Sequence, residues 1–152
     1  MQIVVILVLM VAAPVAAIVI QGATTGGSLI ALAGTWFVFF FGLRLLIAGF
    51  HQLAKPDFTA KTIFRITDPN AAKIVSELGF GNIAIGALGV LTLFNANWIV
   101  PAAIVMAIFY ALAGGKHVMN AQRTASENWA MGSDVWAALV LAGWLVVVWM
   151  ER

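Results

Sequence analysis

Long apolar runs alternate with short polar joints along nearly the whole chain. A helix needs about 20 mostly apolar residues, with a range of roughly 17–25, to cross the hydrocarbon core of a bilayer. Five runs meet that requirement: Ile3–Ile20, Leu29–Leu53, Ala71–Phe94, Trp98–Asn120 and Asp134–Met150. They are continuous and lack the every-second-residue alternation of a membrane-barrel strand, so the pattern predicts helices. The expected fold is an all-α integral membrane protein, a single domain of five transmembrane helices spanning residues 1–152.

The joints read as helix ends. Gln21–Ser28 holds Gly22, Gly26 and Gly27, and Asp68 before Pro69 offers an N-cap followed by proline at the first helical position. Asn95–Asn97 predicts a tight hairpin, and Ser133 predicts an N-cap with Asp134 favourably placed on the dipole of the last helix. Pro14 permits a kink in the first run, because a helix loses a hydrogen bond at proline. No Lys or Arg precedes that run, which argues against a cleaved signal and for a true span. Pro56–Asn70 mixes Phe58, Ile63 and Phe64 with Lys61 and Arg65, the pattern of a segment lying on the membrane surface. The Arg123–Asp134 joint is similar, with Trp129 as an anchor.

Charge orients the bundle. Lys55, Lys61, Arg65 and Lys73 surround the second joint, and Lys116 and Arg123 the fourth, whereas the first and third joints carry no Lys or Arg. The positive-inside rule therefore places the second and fourth joints and the N-terminus in the cytoplasm, and the C-terminus with Glu151 and Arg152 outside. The isoelectric point of about 9.4 reflects this collar, which suits anionic lipid headgroups and not nucleic acid. Charged residues are only 9% of the chain and mean hydropathy is +1.04, too apolar to cover a water-soluble domain. Cysteine is absent, which excludes disulfides, thiolate metal sites and cysteine nucleophiles.

Polar residues inside apolar runs need a physical reason. Arg44 lies between Phe39–Phe41 and Leu45–Ile47, and counted from Lys55 it is about 16 Å up its helix. Either it snorkels to the headgroups or it pairs within the bundle, because an unpaired charge at that depth costs a few kcal/mol. Glu77, about 12 Å into the third run from the same side, is the expected partner. Such a pair would set register as readily as it would serve chemistry. His51, seven residues after Arg44, shares its face, and His117 lies at comparable depth on the fourth run. Two imidazoles facing each other meet the minimum for bis-histidine haem, or with Glu77 for a metal ion, although histidines near an interface are often only solvated.

With Asn82 and Asn120 added, the candidate ligand-binding or buried polar cluster is Arg44, His51, Glu77, Asn82, His117 and Asn120, with His51, His117 and Glu77 as the metal candidates. Trp98, Trp144 and Trp149 read as packing and an interfacial belt. Gly79, Gly81, Gly86 and Gly89 on the third run, and Gly114 and Gly115 on the fourth, predict close helix approach. No phosphate loop, Gly-x-Ser-x-Gly elbow or His-Glu-x-x-His site occurs, and Ser76 and Ser133 lack an evident base.

The run Leu43-Arg44-Leu45-Leu46-Ile47-Ala48-Gly49-Phe50-His51-Gln52-Leu53-Ala54-Lys55 resembles the opening helix of the DoxX-like family of small bacterial integral membrane proteins. Glu77-Leu78-Gly79-Phe80-Gly81, with Gly86 and Gly89 behind it, is similar to the next helix of that family, so the resemblance covers Leu29 to Met150. It implies a four-helix bundle in the bacterial inner membrane with an Arg and a Glu facing inward, to which Ile3–Ile20 is an addition; this chain would be a divergent subfamily. Some DoxX-like proteins are subunits of quinone-linked oxidoreductases, and others accompany methylamine-utilisation systems.

The leading expectation is a non-catalytic subunit or binding bundle whose inner-leaflet polar cluster takes a lipid, a quinone or a partner helix. The alternatives are a quinone- or haem-linked oxidoreductase component with His51 and His117 at the cofactor, and a small transporter or proton conduit using Glu77, His51 and Asn82. The expected partners are the lipid bilayer and a membrane protein or second copy of the chain, with no nucleic acid.

Overall fold

The computed structural model describes residues 2–151; the expectation for the terminal Arg152 lies outside them. Five helices are long and apolar enough to cross a membrane: α1 (Ile3–Thr25), α2 (Leu29–Ala54), α3 (Ala71–Leu91), α4 (Ala96–Met119, opening with a 3-10 turn) and α5 (Ala125–Met150). The protein is an all-α, multi-pass membrane protein. Its outward faces are apolar, with Val19, Leu112, Leu139 and Trp149 among many exposed hydrophobic side chains, as a lipid-facing surface requires.

Helix α2 is the centre of the bundle and touches each of the others. Val38, Phe41 and Leu45 on α2 meet Ala102, Ala103, Met106 and Tyr110 of α4 and Ala137 and Leu141 of α5 in one core. The Tyr110 hydroxyl donates to the Phe41 carbonyl at 2.9 Å, satisfying a phenol that is wholly buried. Helix α3 docks differently. Its inward stripe is Val75, Gly79, Asn82, Gly86 and Gly89, spaced three or four residues apart. A Cβ placed on Gly86 would lie 2.6 Å from the Gly42 carbonyl oxygen, and one on Gly49 would lie 2.7 Å from the Gly79 carbonyl oxygen. The α2 and α3 backbones are therefore in contact, which only glycine allows.

Helix α1 is an integral part of the bundle, contributing Ile6 and Met10 to the core. Pro14 has no N–H to offer the Met10 carbonyl four residues earlier, and a π-turn over Val8–Ala12 widens the helix just before it. The freed Met10 carbonyl accepts the Trp136 indole N–H of α5 at 3.0 Å. Trp144 is anchored in the same way, donating to the Ile30 carbonyl at 2.7 Å, and its ring occupies the space a Cβ on Gly34 would fill.

Several joints differ from expectation. α1 continues to Thr25 and stops at Gly26, whose φ of +64° is the left-handed cap that glycine favours. α3 begins at Ala71, not at Pro69, and Asp68 instead accepts the Asn70 N–H at 2.7 Å in a local turn. It also ends at Leu91, three residues before the expected Phe94. The Asn95 side chain caps the turn into α4 through the Asn97 N–H at 3.1 Å, as the hairpin reading anticipated.

The largest correction concerns α5. It starts at Ala125 and not at Asp134, with Thr124 as N-cap accepting the Glu127 N–H at 3.0 Å. Ser133 is therefore no cap; it and Asp134 lie buried more than two turns inside the helix. Between α2 and α3, Pro56–Phe58 and the π-turn Thr59–Ile63 form a short segment that buries Thr59 and Ala60, the latter against Ala71 and Val75 of α3, and Arg65 just after it has a φ of +56°.

Candidate functional site

The charged residues inside the bundle meet between α2, α4 and α5, toward the end that carries residues 55–70 and 120–124. This is the basic end of the molecule. Counting from the α5 cap at Thr124, Asp134 lies about 15 Å along its helix, level with Arg44 at about 16 Å from Lys55. Arg44 Nη2 stands 3.6 Å from Asp134 Oδ1 and donates to Ser133 Oγ at 3.1 Å. The Ser133 hydroxyl spends its own proton on the Ala130 carbonyl at 2.8 Å. Its role is to carry Arg44, and it holds no proton free for nucleophilic chemistry.

On the other side of Asp134 is His117, whose Nε2 lies 4.0 Å from Asp134 Oδ2. Gly114, one turn earlier on α4, makes that approach feasible: a Cβ there would lie 3.0 Å from Val135 Cγ2 and 3.2 Å from its backbone nitrogen. His117 Nδ1 sits 3.0 Å from Glu127 Oε1, and Asn120 Nδ2 donates to the same oxygen at 2.8 Å. Glu127 is only 3% exposed. It occupies the N3 position of α5, where the helix dipole favours a carboxylate. Arg123 closes this end by donating to the His117, Val118 and Asn120 carbonyls at the C-terminal end of α4. A continuous line results: Arg44, Asp134, His117, Glu127, Asn120.

A cavity of about 400 Å³ opens at the outer end of that line, lined by Phe64, Lys116, His117, Met119, Asn120 and Glu127. The Phe64 and His117 rings are nearly parallel, 14° apart with centroids separated by 6.4 Å. Beyond Arg44 the line stops against the apolar core of Phe41, Tyr110 and Leu141.

Of the six residues expected to cluster, Arg44, His117 and Asn120 do so. The expected Arg44–Glu77 pair does not form. Glu77 lies two residues past inward-facing Val75, roughly 200° round the helix, and is exposed. His51 is also exposed, its ring edge-on to Phe58 at 5.4 Å, so it lies outside the network. Asn82 is buried but belongs to the α2–α3 contact, donating to Gln52 Oε1 at 2.7 Å. The metal candidates His51, His117 and Glu77 accordingly do not assemble, and among the described residues no three acidic, His or Cys side chains are placed to hold a metal ion.

Sequence reasoning missed Glu127, Asp134 and Ser133 as members of the site. The signal for them was Thr124-x-x-Glu127, a capping-box spacing that marks a helix start nine residues before the apolar run begins.

A family model described as a family of unknown function, DUF6790, matches residues 1–151. The chain belongs to this family. No curated protein and no solved structure matches it. Membership of DUF6790 assigns no activity, so any reading of function has to come from the geometry of the site.

Proposed function

We propose that this DUF6790 protein is a non-catalytic membrane bundle that binds the headgroup of a membrane amphiphile, a lipid or a quinone, at its basic end. That end faces the cytoplasm of a bacterial inner membrane, with the N-terminus inside and the C-terminus outside, as the distribution of Lys and Arg favours. One observation carries the reading. The cavity lies at the end of a buried charged network and is lined by the polar groups of Lys116, His117, Asn120 and Glu127 together with the apolar side chains of Phe64 and Met119. A pocket with a few convergent polar groups and apolar walls suits a ligand with a polar head and an apolar body.

The network supports binding better than conduction. Its inner end stops at Phe41, Tyr110 and Leu141, which are wholly buried, whereas a path for ions needs sites on both sides.

Native mass spectrometry of the full chain released from mild detergent tests the reading. A stoichiometric amphiphile is expected, and its occupancy should fall when Lys116 is changed to Ala at the cavity rim. A bare chain under conditions that keep lipid on other membrane proteins would sink the proposal.

A further inference from the structure

Two of the side chains that line the cavity carry flat rings, Phe64 from the segment between α2 and α3 and His117 from α4. Their planes lie 14° apart with centroids separated by 6.4 Å. Every other ring pair among the described residues is tilted by 32° or more, so the parallel setting is particular to the cavity. Carbon atoms in contact stand about 3.5–4.0 Å apart. Rings facing each other squarely at 6.4 Å therefore leave a gap, about half an ångström short of the roughly 7 Å that a third ring between them fills. Rings whose planes touch at that centroid separation are displaced sideways beyond overlap and form one stepped wall. In both registers each ring keeps a π face that the other does not cover.

His117 is the fixed side of this site, because its Nδ1 lies 3.0 Å from the buried Glu127 carboxylate. Phe64, 38% exposed, is the side with room to move. Met119, largely exposed, continues the apolar lining toward the outside of the bundle. The volume of about 400 Å³ falls within the range of small-molecule pockets, roughly 300–1,000 Å³. We propose that the cavity binds a membrane amphiphile whose head is a flat conjugated ring, of the quinone class, stacked on the His117 and Phe64 faces with its tail along Met119. A flat ring covers both π faces at once and gains ring–ring attraction beyond the burial of its area. A phospholipid head, built on a tetrahedral phosphate and a saturated glycerol, offers no flat face to either ring. The assignment rests on the amphiphile-binding reading and narrows it to one class of head.

The test separates the ring from its tail. The full chain is reconstituted in liposomes of phosphatidylethanolamine and phosphatidylglycerol holding equal small fractions of a short-tailed ubiquinone and of the prenyl alcohol with the same tail. Native mass spectrometry after release reads which adduct stays. The ubiquinone is expected to be retained about tenfold over the alcohol, the scale of two ring–ring contacts. Phe64→Leu, which keeps an apolar wall and removes its π face, should erase most of that preference, and Phe64→Trp should keep it. Equal retention of quinone and alcohol by the parent chain overturns the assignment without reference to any variant. So does a Phe64→Leu chain that still prefers the quinone tenfold. Retention of phospholipid in place of quinone overturns the ring assignment and leaves the amphiphile reading standing. A bare chain overturns both.

Discussion

Arg44 and Asp134 are mostly withdrawn from solvent, with side chains 13% and 9% exposed, so each needs the other's charge. Removing one partner leaves an uncompensated buried charge, whereas replacing both with apolar groups of similar size is often close to neutral. Arg44→Leu and Asp134→Leu are therefore each expected to cost about 3–5 kcal/mol, and the double variant much less. Chemical unfolding in detergent micelles measures all three; equal losses in the single and double variants would show that the pair is not coupled. Glu77→Gln, by contrast, should change stability by no more than about 0.5 kcal/mol, as for an ordinary exposed site. Arg44 stood out in the sequence because a charge inside an apolar run is costly wherever it points. Its partner did not stand out, since Glu77 and Asp134 differ in rotation about their helices and in the true start of α5.

At the scale of elements, two contacts decide how helices meet. Gly86→Ala would push a methyl against the Gly42 carbonyl and Leu46 nitrogen, each 2.6 Å from the added Cβ, and the backbones cannot yield cheaply. Overpacking of this kind costs about 1–3 kcal/mol. Gly81→Ala, where nothing lies within 4 Å of the added Cβ, should be neutral or slightly stabilising by the same unfolding measurement. Four glycines in that helix look alike as letters; which of them touch α2 follows from their rotation about α3. The second contact is Trp136 on Met10. Trp136→Phe removes the donor to a carbonyl that Pro14 has already left short, a loss of about 1–3 kcal/mol. Pro14→Ala restores an N–H to that carbonyl, so the loss from Trp136→Phe should shrink in the Pro14→Ala background. A double-mutant cycle gives the coupling directly, and additive effects would remove the proline from the explanation.

For the whole molecule, the testable property is which way the basic end faces. The chain has no cysteine, so single cysteines can be introduced against a silent background. Lys61→Cys and Asn97→Cys place thiols at exposed positions on opposite ends of the bundle. In intact cells a membrane-impermeant maleimide is expected to label Cys at 97 directly and Cys at 61 only after permeabilisation. The reverse pattern would invert the bundle and move the cavity to the outer face. The same asymmetry bears on the proposed function, because an amphiphile bound there would come from the leaflet at the basic end.

Chain length, five apolar runs and one-sided basic joints are properties of the sequence read in one dimension. They determined an all-α membrane protein with five spans, because the cost of leaving peptide groups unpaired in hydrocarbon permits little else. The polar first turns of α5 were hidden, since hydropathy falls at a membrane boundary whether the helix stops there or continues into the headgroups. Only the tertiary structure decided which side chains meet. Close approach at Gly42–Gly86 and at Gly114–Val135 sets the rotation and height of α3 and α5 against their neighbours. Those two degrees of freedom leave almost no trace in local sequence, yet they turn Glu77 outward and bring Asp134, His117 and Glu127 into line with Arg44.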